Sequence, residues 1–202
     1  MPGKRPLIIG LTGSIGMGKT ETARMFARLG VPVYDADAAV HALYEPGGAA
    51  VAEIARQFPD CVTEGRVDRR RLGARVTANA REFEALEKLV HPLVARDQQR
   101  FLAETERHGA EMVVLDIPLL LESGGEKRVD AVVVVSAPAD VQRARVLARA
   151  GMTADKLDSI LAKQMPDAEK RAKAHFVIET DKGLEHAFNE VKAVITKLHE
   201  RT

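Results

Sequence analysis

The 202-residue sequence has no tryptophan, and aromatic residues make up only 4% of it. That is too few to build a platform on which successive nucleic-acid bases could stack. Charge of one sign is also lacking. The formal net charge is +1, which gives no field for a nucleic-acid backbone or an anionic membrane, so any bound anion must be held by local geometry. Cysteine is limited to Cys61, which leaves no internal disulfide. The opening Met1-Pro-Gly-Lys-Arg-Pro is too short, and its apolar continuation too brief, for a secretory leader. Both features predict a protein of the reducing cytoplasm. Apolar runs are short as well: Asp130-Ala-Val-Val-Val-Val-Ser136 is strand length, well below the ~20 residues of a membrane helix.

What is present is ordinary for a globular protein, with 46% apolar and 29% charged residues. The length suits one substantial core with an insertion. We therefore expect a single domain over residues 1–202.

Leu7-Ile-Ile-Gly-Leu-Thr12 is an apolar run closed by glycine, the pattern of a buried parallel strand. Beyond the following glycine loop, Thr22, Met25, Phe26 and Leu29 recur at helical spacing until Gly30 and Pro32. Val31-Pro-Val-Tyr34 predicts a second strand that ends at Asp35-Ala-Asp37, and a helix begins near Ala38. Residues 49–108 read as helical, with breaks at Phe58-Pro-Asp60 and His91-Pro92 and no strong strand. Strand signals return at 112–116, 129–135 and 176–178, with helical stretches at 138–149 and 153–173, the latter broken at Met165-Pro166. The last helix carries a stripe of Leu184, Phe188, Val191, Ile195 and Leu198. This order predicts an α/β fold of three layers about a parallel sheet.

Gly13-Ser-Ile-Gly-Met-Gly-Lys-Thr20 matches the phosphate-loop pattern G-x-x-x-x-G-K-[ST]. Glycines let backbone N–H groups turn toward phosphate oxygens, the Lys19 ammonium reaches the β- and γ-phosphates, and the Thr20 hydroxyl ligates Mg²⁺. The helix that follows directs its positive end at the anion. Gly13, Ser14, Gly16, Met17, Gly18, Lys19, Thr20 and Glu21 are thus the candidate ATP site. Asp116 closes an apolar strand, as does the acid that orients Mg²⁺ in such enzymes; a turn aspartate is the plainer reading. Asp35 and Asp37 end the second strand. Either could accept a hydroxyl proton, as a kinase aspartate does, and Asp37 is our choice of base. Its competing role is to cap the helix at Ala38.

Several blocks in order along nearly the whole chain resemble the dephospho-coenzyme A kinase family: residues 10–20, Val33-Tyr-Asp-Ala-Asp37, Leu89-Val-His-Pro92, Asp116-Ile-Pro-Leu-Leu-Leu-Glu122, Gln142-Arg-Ala-Arg145 with Arg149, and Gln164-Met-Pro. The resemblance implies a P-loop kinase fold with a helical substrate-binding insertion at 38–108 and a helical lid at 140–174. It implies ATP and Mg²⁺ as cofactors, and dephospho-coenzyme A as the partner whose ribose 3′-hydroxyl is phosphorylated in the last step of coenzyme A synthesis. Matched position by position, the base falls on Asp37 and the lid arginines on Arg145 and Arg149. The resemblance also sets His91, Asp116, Pro118 and Leu119 at the border of the substrate pocket, whereas a histidine before proline reads equally as a structural helix-end residue. Guanidinium groups suit a transferring phosphoryl group, although Arg143, Arg145 and Arg149 also read as a solvated basic face without acidic partners. Residues 174–180 depart from the family's Ala-Asp before the strand and Asp-Asn after it, with His175 and Thr180 in their place.

Two other classes compete. A regulatory nucleotide switch of the GTPase kind needs an Asn-Lys-x-Asp guanine reader, but Asn79 and Asn189 are followed by Ala and Glu. Other P-loop small-molecule kinases, for nucleosides, nucleotides or shikimate, would share the loop, Asp37 and the lid.

Overall fold

Residues 5–200 are described by a computed structural model; residues 1–4, on which the leader reading rests, lie outside them. The chain forms β1 (Leu7–Thr12), α1 (Lys19–Arg28), β2 (Val33–Asp35), α2 (Ala36–Tyr44), α3 (Val51–Gln57), β3 (Val62–Thr63), β4 (Arg66–Val67), α4 (Arg69–Ala78) and α5 (Ala80–Arg107). It continues through β5 (Met112–Asp116), β6 (Ala131–Ser136), α6 (Ala139–Leu147), α7 (Ala154–Leu161), α8 (Asp167–Lys173), β7 (Phe176–Glu179) and α9 (Leu184–His199). It divides into two compact units, one of residues 5–33 with 105–200 and one of residues 34–104.

The main sheet has five strands in the order β2-β5-β1-β6-β7, of which β1, β5, β6 and β7 belong to the first unit and β2 begins at that unit's Val33. The pairs β1–β5, β1–β6 and β6–β7 are parallel. Because successive side chains of a strand point to opposite faces, each strand feeds two cores. Ile9, Leu11, Val133 and Val135 join Met25 and Phe26 of α1 and Val191 and Val194 of α9. Val132 and Val134 join Leu120 and Leu121 on the other side, with Met165 and Ala174 packed against them. Sheet between helical layers is the expected P-loop arrangement. On α9 the buried stripe is Ala187, Val191, Val194 and Leu198, whereas Leu184, expected in it, is 68% exposed. Seven residues before Val191, Leu184 shares the angular position of the stripe, but as the first residue of the helix, just past Gly183, it stands at the stripe's exposed end.

The second unit has its own core of Tyr44, Ile54, Phe58, Leu72 and Val90. Two expectations fail here. His91-Pro92 does not break the chain, because α5 runs through Pro92. Burial of Val90, with Leu86, Leu89, Leu93 and Val94 packed on the same core, outweighs the hydrogen bond that proline removes. The segment also holds an antiparallel ribbon, with Val62 opposite Val67 and Thr63 opposite Arg66, turned by Glu64 and Gly65 at φ 52° and 73°. Positive φ at both central residues suits a two-residue hairpin, but strands of two residues show no periodicity. Cys61 is buried and unbonded, and burial raises its thiol pKa, so it is a poor nucleophile.

In the first unit Lys170 of α8 is fully buried and pairs with Glu122 Oε1 at 2.8 Å; the same oxygen accepts the Met165 N–H at 2.9 Å. Burial pushes the Glu122 carboxyl up, but Lys170 and the Met165 N–H outweigh it and leave the group below the ordinary glutamate value. A depressed carboxyl pKa gives stability that is complete above the ordinary glutamate range and is lost as pH falls through the folded-state value. Lys170→Met leaves a buried carboxylate without its cation and is expected to cost about 3 kcal/mol at neutral pH. The deficit should shrink on acidification as Glu122 takes up a proton. Urea titrations across pH 4–8 measure this, and equal loss at both ends would remove the ion pair from the account.

Candidate active site

The C-terminal ends of β1 and β5 lie side by side, with Leu11 in register with Asp116 and Thr12 in register with Val134 of β6. Parallel sheets bind ligands at that edge, and the glycine loop of residues 13–18 leaves from it. The loop is braced on several sides. Gln142 Nε2 donates to Ile15 O at 2.8 Å, and the Ile15 N–H donates to Gln164 Oε1 at 3.1 Å. The Met17 side chain is buried, with its sulfur accepting the Ala137 N–H at 3.1 Å. Ser14 is buried within the loop, and its carbonyl accepts the Met17 N–H. Gly16 has φ 80°, and a Cβ there would stand 2.4 Å from Val146 Cγ2. Both conformation and packing therefore demand glycine.

Gly18 precedes α1, which has no side-chain cap. Its first-turn N–H groups and the helix dipole favour an anion at this point. Lys19 Nζ lies 2.5 Å from Asp116 Oδ1, and both side chains are largely shielded, at 16% and 6% exposure. Thr20, the next residue, is exposed. The Thr20 hydroxyl and the Asp116 carboxylate are hard oxygen donors, the chemistry that Mg²⁺ takes. Glu21 instead pairs with Arg24 on the outer face of α1.

Thr12 Oγ1 donates to Pro118 O at 2.9 Å, and the Ile117 N–H donates to Leu11 O at 3.0 Å. These bonds fix the segment after Asp116, on which Leu119 is 45% exposed. A cavity of about 510 Å³ adjoins the loop, lined by Met17, Ser136, Gln142, Asp167, Asp181 and Lys182.

The three arginines near α6 do not share one solvated face, as the sequence reading allowed. Arg143 pairs with Asp158 of α7 at 2.9 Å, a partner fifteen residues away that helical spacing does not reveal. Arg145 donates from Nη1 to Thr180 Oγ1 at 2.9 Å and from Nη2 to Thr180 O at 2.7 Å. Arg149 lies beyond the end of α6 and is exposed. Thr180, Gln142 and Gln164 are braces that sequence reasoning did not assign. The two glutamines sat in recognised blocks, but nothing local marks them as loop contacts.

Asp35, Asp37 and His91 belong to the second unit. The helix cap is Asp35, whose side chain accepts the Ala38 N–H at 2.9 Å; α2 begins at Ala36, two residues earlier than expected. Asp37 therefore sits in the first helical turn, exposed and without a capping task. His91 is an exposed mid-helix residue 3.9 Å from Glu87.

A glycine loop between a parallel strand and a helix, with a lysine against a strand-end carboxylate, places the chain in the P-loop fold class. Residues 7–186 match the family model for dephospho-CoA kinase. The chain is 56% identical to the dephospho-CoA kinase of Mesorhizobium japonicum, over 95% of this chain and 96% of that one. It is 53% identical to that of Rhodopseudomonas palustris strain BisB18, over 96% and 98%. The crystal structure of TT1252 from Thermus thermophilus superposes with a TM-score of 0.84 at 38% identity, covering 96% of this chain and 99% of that one. The chain belongs to the dephospho-CoA kinase family.

Proposed function

We propose that this protein transfers the γ-phosphoryl group of ATP to the ribose 3′-hydroxyl of dephospho-coenzyme A, giving coenzyme A. Family membership over residues 7–186 carries the reading, and the loop supplies its chemistry. Backbone N–H groups of residues 13–18 and the first turn of α1 bind the phosphates. Lys19, held at the strand edge by Asp116, neutralises charge on the β- and γ-phosphates. The adjoining cavity has the volume to take the nucleotide's base.

Thr20 and Asp116 are the residues that would hold Mg²⁺, which when bound neutralises the triphosphate oxygens. Residues 140–174 form the lid, with Arg145 and Arg149 supplying positive charge that spreads over the phosphoryl oxygens while closure excludes water. Asp37 takes the proton of the acceptor hydroxyl; its exposed carboxylate, free of capping work, supports that role. The helical second unit binds the acceptor. The single buried Cys61 agrees with a reducing cytoplasm, and no helix among the described residues is long and apolar enough to cross a membrane.

The deciding measurement is ADP release by the purified protein with ATP and Mg²⁺, comparing dephospho-coenzyme A with adenosine, AMP and shikimate. Turnover with dephospho-coenzyme A alone is expected. Turnover with another acceptor would keep the phosphotransferase and discard this substrate.

A further inference from the structure

We propose that Thr180 is the positioning residue of the phosphate loop: its hydroxyl fixes the peptide between Met17 and Gly18 and sets the orientation of Arg145, so ATP affinity depends on that one O–H. The inference rests on the phosphoryl-transfer reading above.

Thr180 directly follows β7, and its N–H is anchored to Ser136 O of β6 at 3.0 Å. A hydroxyl has one proton to give. Here Met17 O lies at 2.7 Å, and the other acceptor in reach, Ser136 O, at 3.4 Å, so the shorter bond takes it. The same oxygen accepts from Arg145 Nη1, and the Thr180 carbonyl accepts from Arg145 Nη2. Thr180 thus joins the loop to α6 through one side chain and one carbonyl.

The consequence follows from peptide planarity. In a trans peptide the C=O of one residue and the N–H of the next point in opposite directions. A donor that holds the Met17 carbonyl toward Thr180 aims the Gly18 N–H away from it, which leaves that N–H as a donor for a phosphate oxygen. Gly18 has φ 95°, and a Cβ there would stand 3.2 Å from Thr180. The peptide is therefore seated against the threonine. Arg145, with two N–H groups on one residue, is ordered before nucleotide arrives, which lowers the entropy lost on binding; the guanidinium keeps further donors for the ligand.

Valine keeps the shape of threonine and removes the hydroxyl. Thr180→Val leaves Met17 O without its donor and Arg145 with one bond in place of two. Its Kd for ATP–Mg²⁺ by titration calorimetry and its KM for ATP are expected to rise about tenfold. KM for dephospho-coenzyme A should stay within about twofold, and Thr180→Ser should restore the ATP values. If the valine variant fails to fold, Thr180→Ala is read in the same way. An unchanged Kd for ATP would overturn the proposal, as would a rise in both KM values that serine does not reverse, since that pattern marks a general structural role. Calorimetry needs no acceptor, so a wild-type protein that binds ATP but ignores dephospho-coenzyme A would refute the acceptor assignment and leave the Thr180 comparison decisive.

Discussion

Lys19→Met is expected to lower kcat/KM for ATP by roughly 10²–10³-fold, the loss found when one preorganised charge-stabilising donor is removed. The size follows from the setting. Lys19 Nζ is 2.5 Å from Asp116 in a shielded position, so its charge acts where water screens little. Two effects compete in this variant. Loss of the ammonium weakens phosphate stabilisation, and Asp116 is left as a shielded carboxylate without its cation, which costs stability. A melting curve separates them: a folded variant with the full activity loss assigns the effect to catalysis. Activity within about fivefold of wild type would remove Lys19 from the mechanism.

Asp37→Asn is expected to reduce kcat by about 10²–10⁴-fold, the usual contribution of a positioned general base, with KM for ATP little changed. Asp35→Asn supplies the contrast. Asp35 is the α2 cap, with its carboxylate on the Ala38 N–H, and asparagine caps a helix about as well as aspartate. The Asp35 variant should therefore keep most activity, and any deficit should appear as a modest loss of stability. Steady-state kinetics on the pair decides between two carboxylates two residues apart. Near-wild-type kcat in Asp37→Asn combined with collapse in Asp35→Asn would exchange the assignments.

The sequence was most legible where structure is local. The phosphate loop could be read because its demands are local: Gly16 and Gly18 adopt φ 80° and 95°, and the strand before and the helix after are short apolar patterns. The five sheet strands were recognisable because β-branched runs such as that of β6 are buried on both faces. Register and order were not, since the placement of β5 between β2 and β1 depends on pairings far apart in the chain, 105 residues for Leu7 with Met112 and 82 for the Val114 N–H with Pro32 O. The same limit hid Thr180, whose partners Met17 and Arg145 are 163 and 35 residues away. It also hid the ion pair of Arg143 with Asp158. At Pro92 the local rule pointed the wrong way, because burial of the surrounding leucines and valines decided the helix.

Strand β6 has one more consequence. Residues 131–136 are all buried between β1 and β7, and they combine four consecutive valines with neither charge nor proline. In the native sheet both edges of this segment are hydrogen-bonded. In an unfolded chain it is a six-residue, uncharged, β-prone stretch of the kind that self-associates. Asp130 and Pro138 flank it in the manner of gatekeepers, but they do not interrupt it. Heating is therefore expected to end in aggregation through this strand, so the working lifetime of the protein is set by how rarely β6 is uncovered.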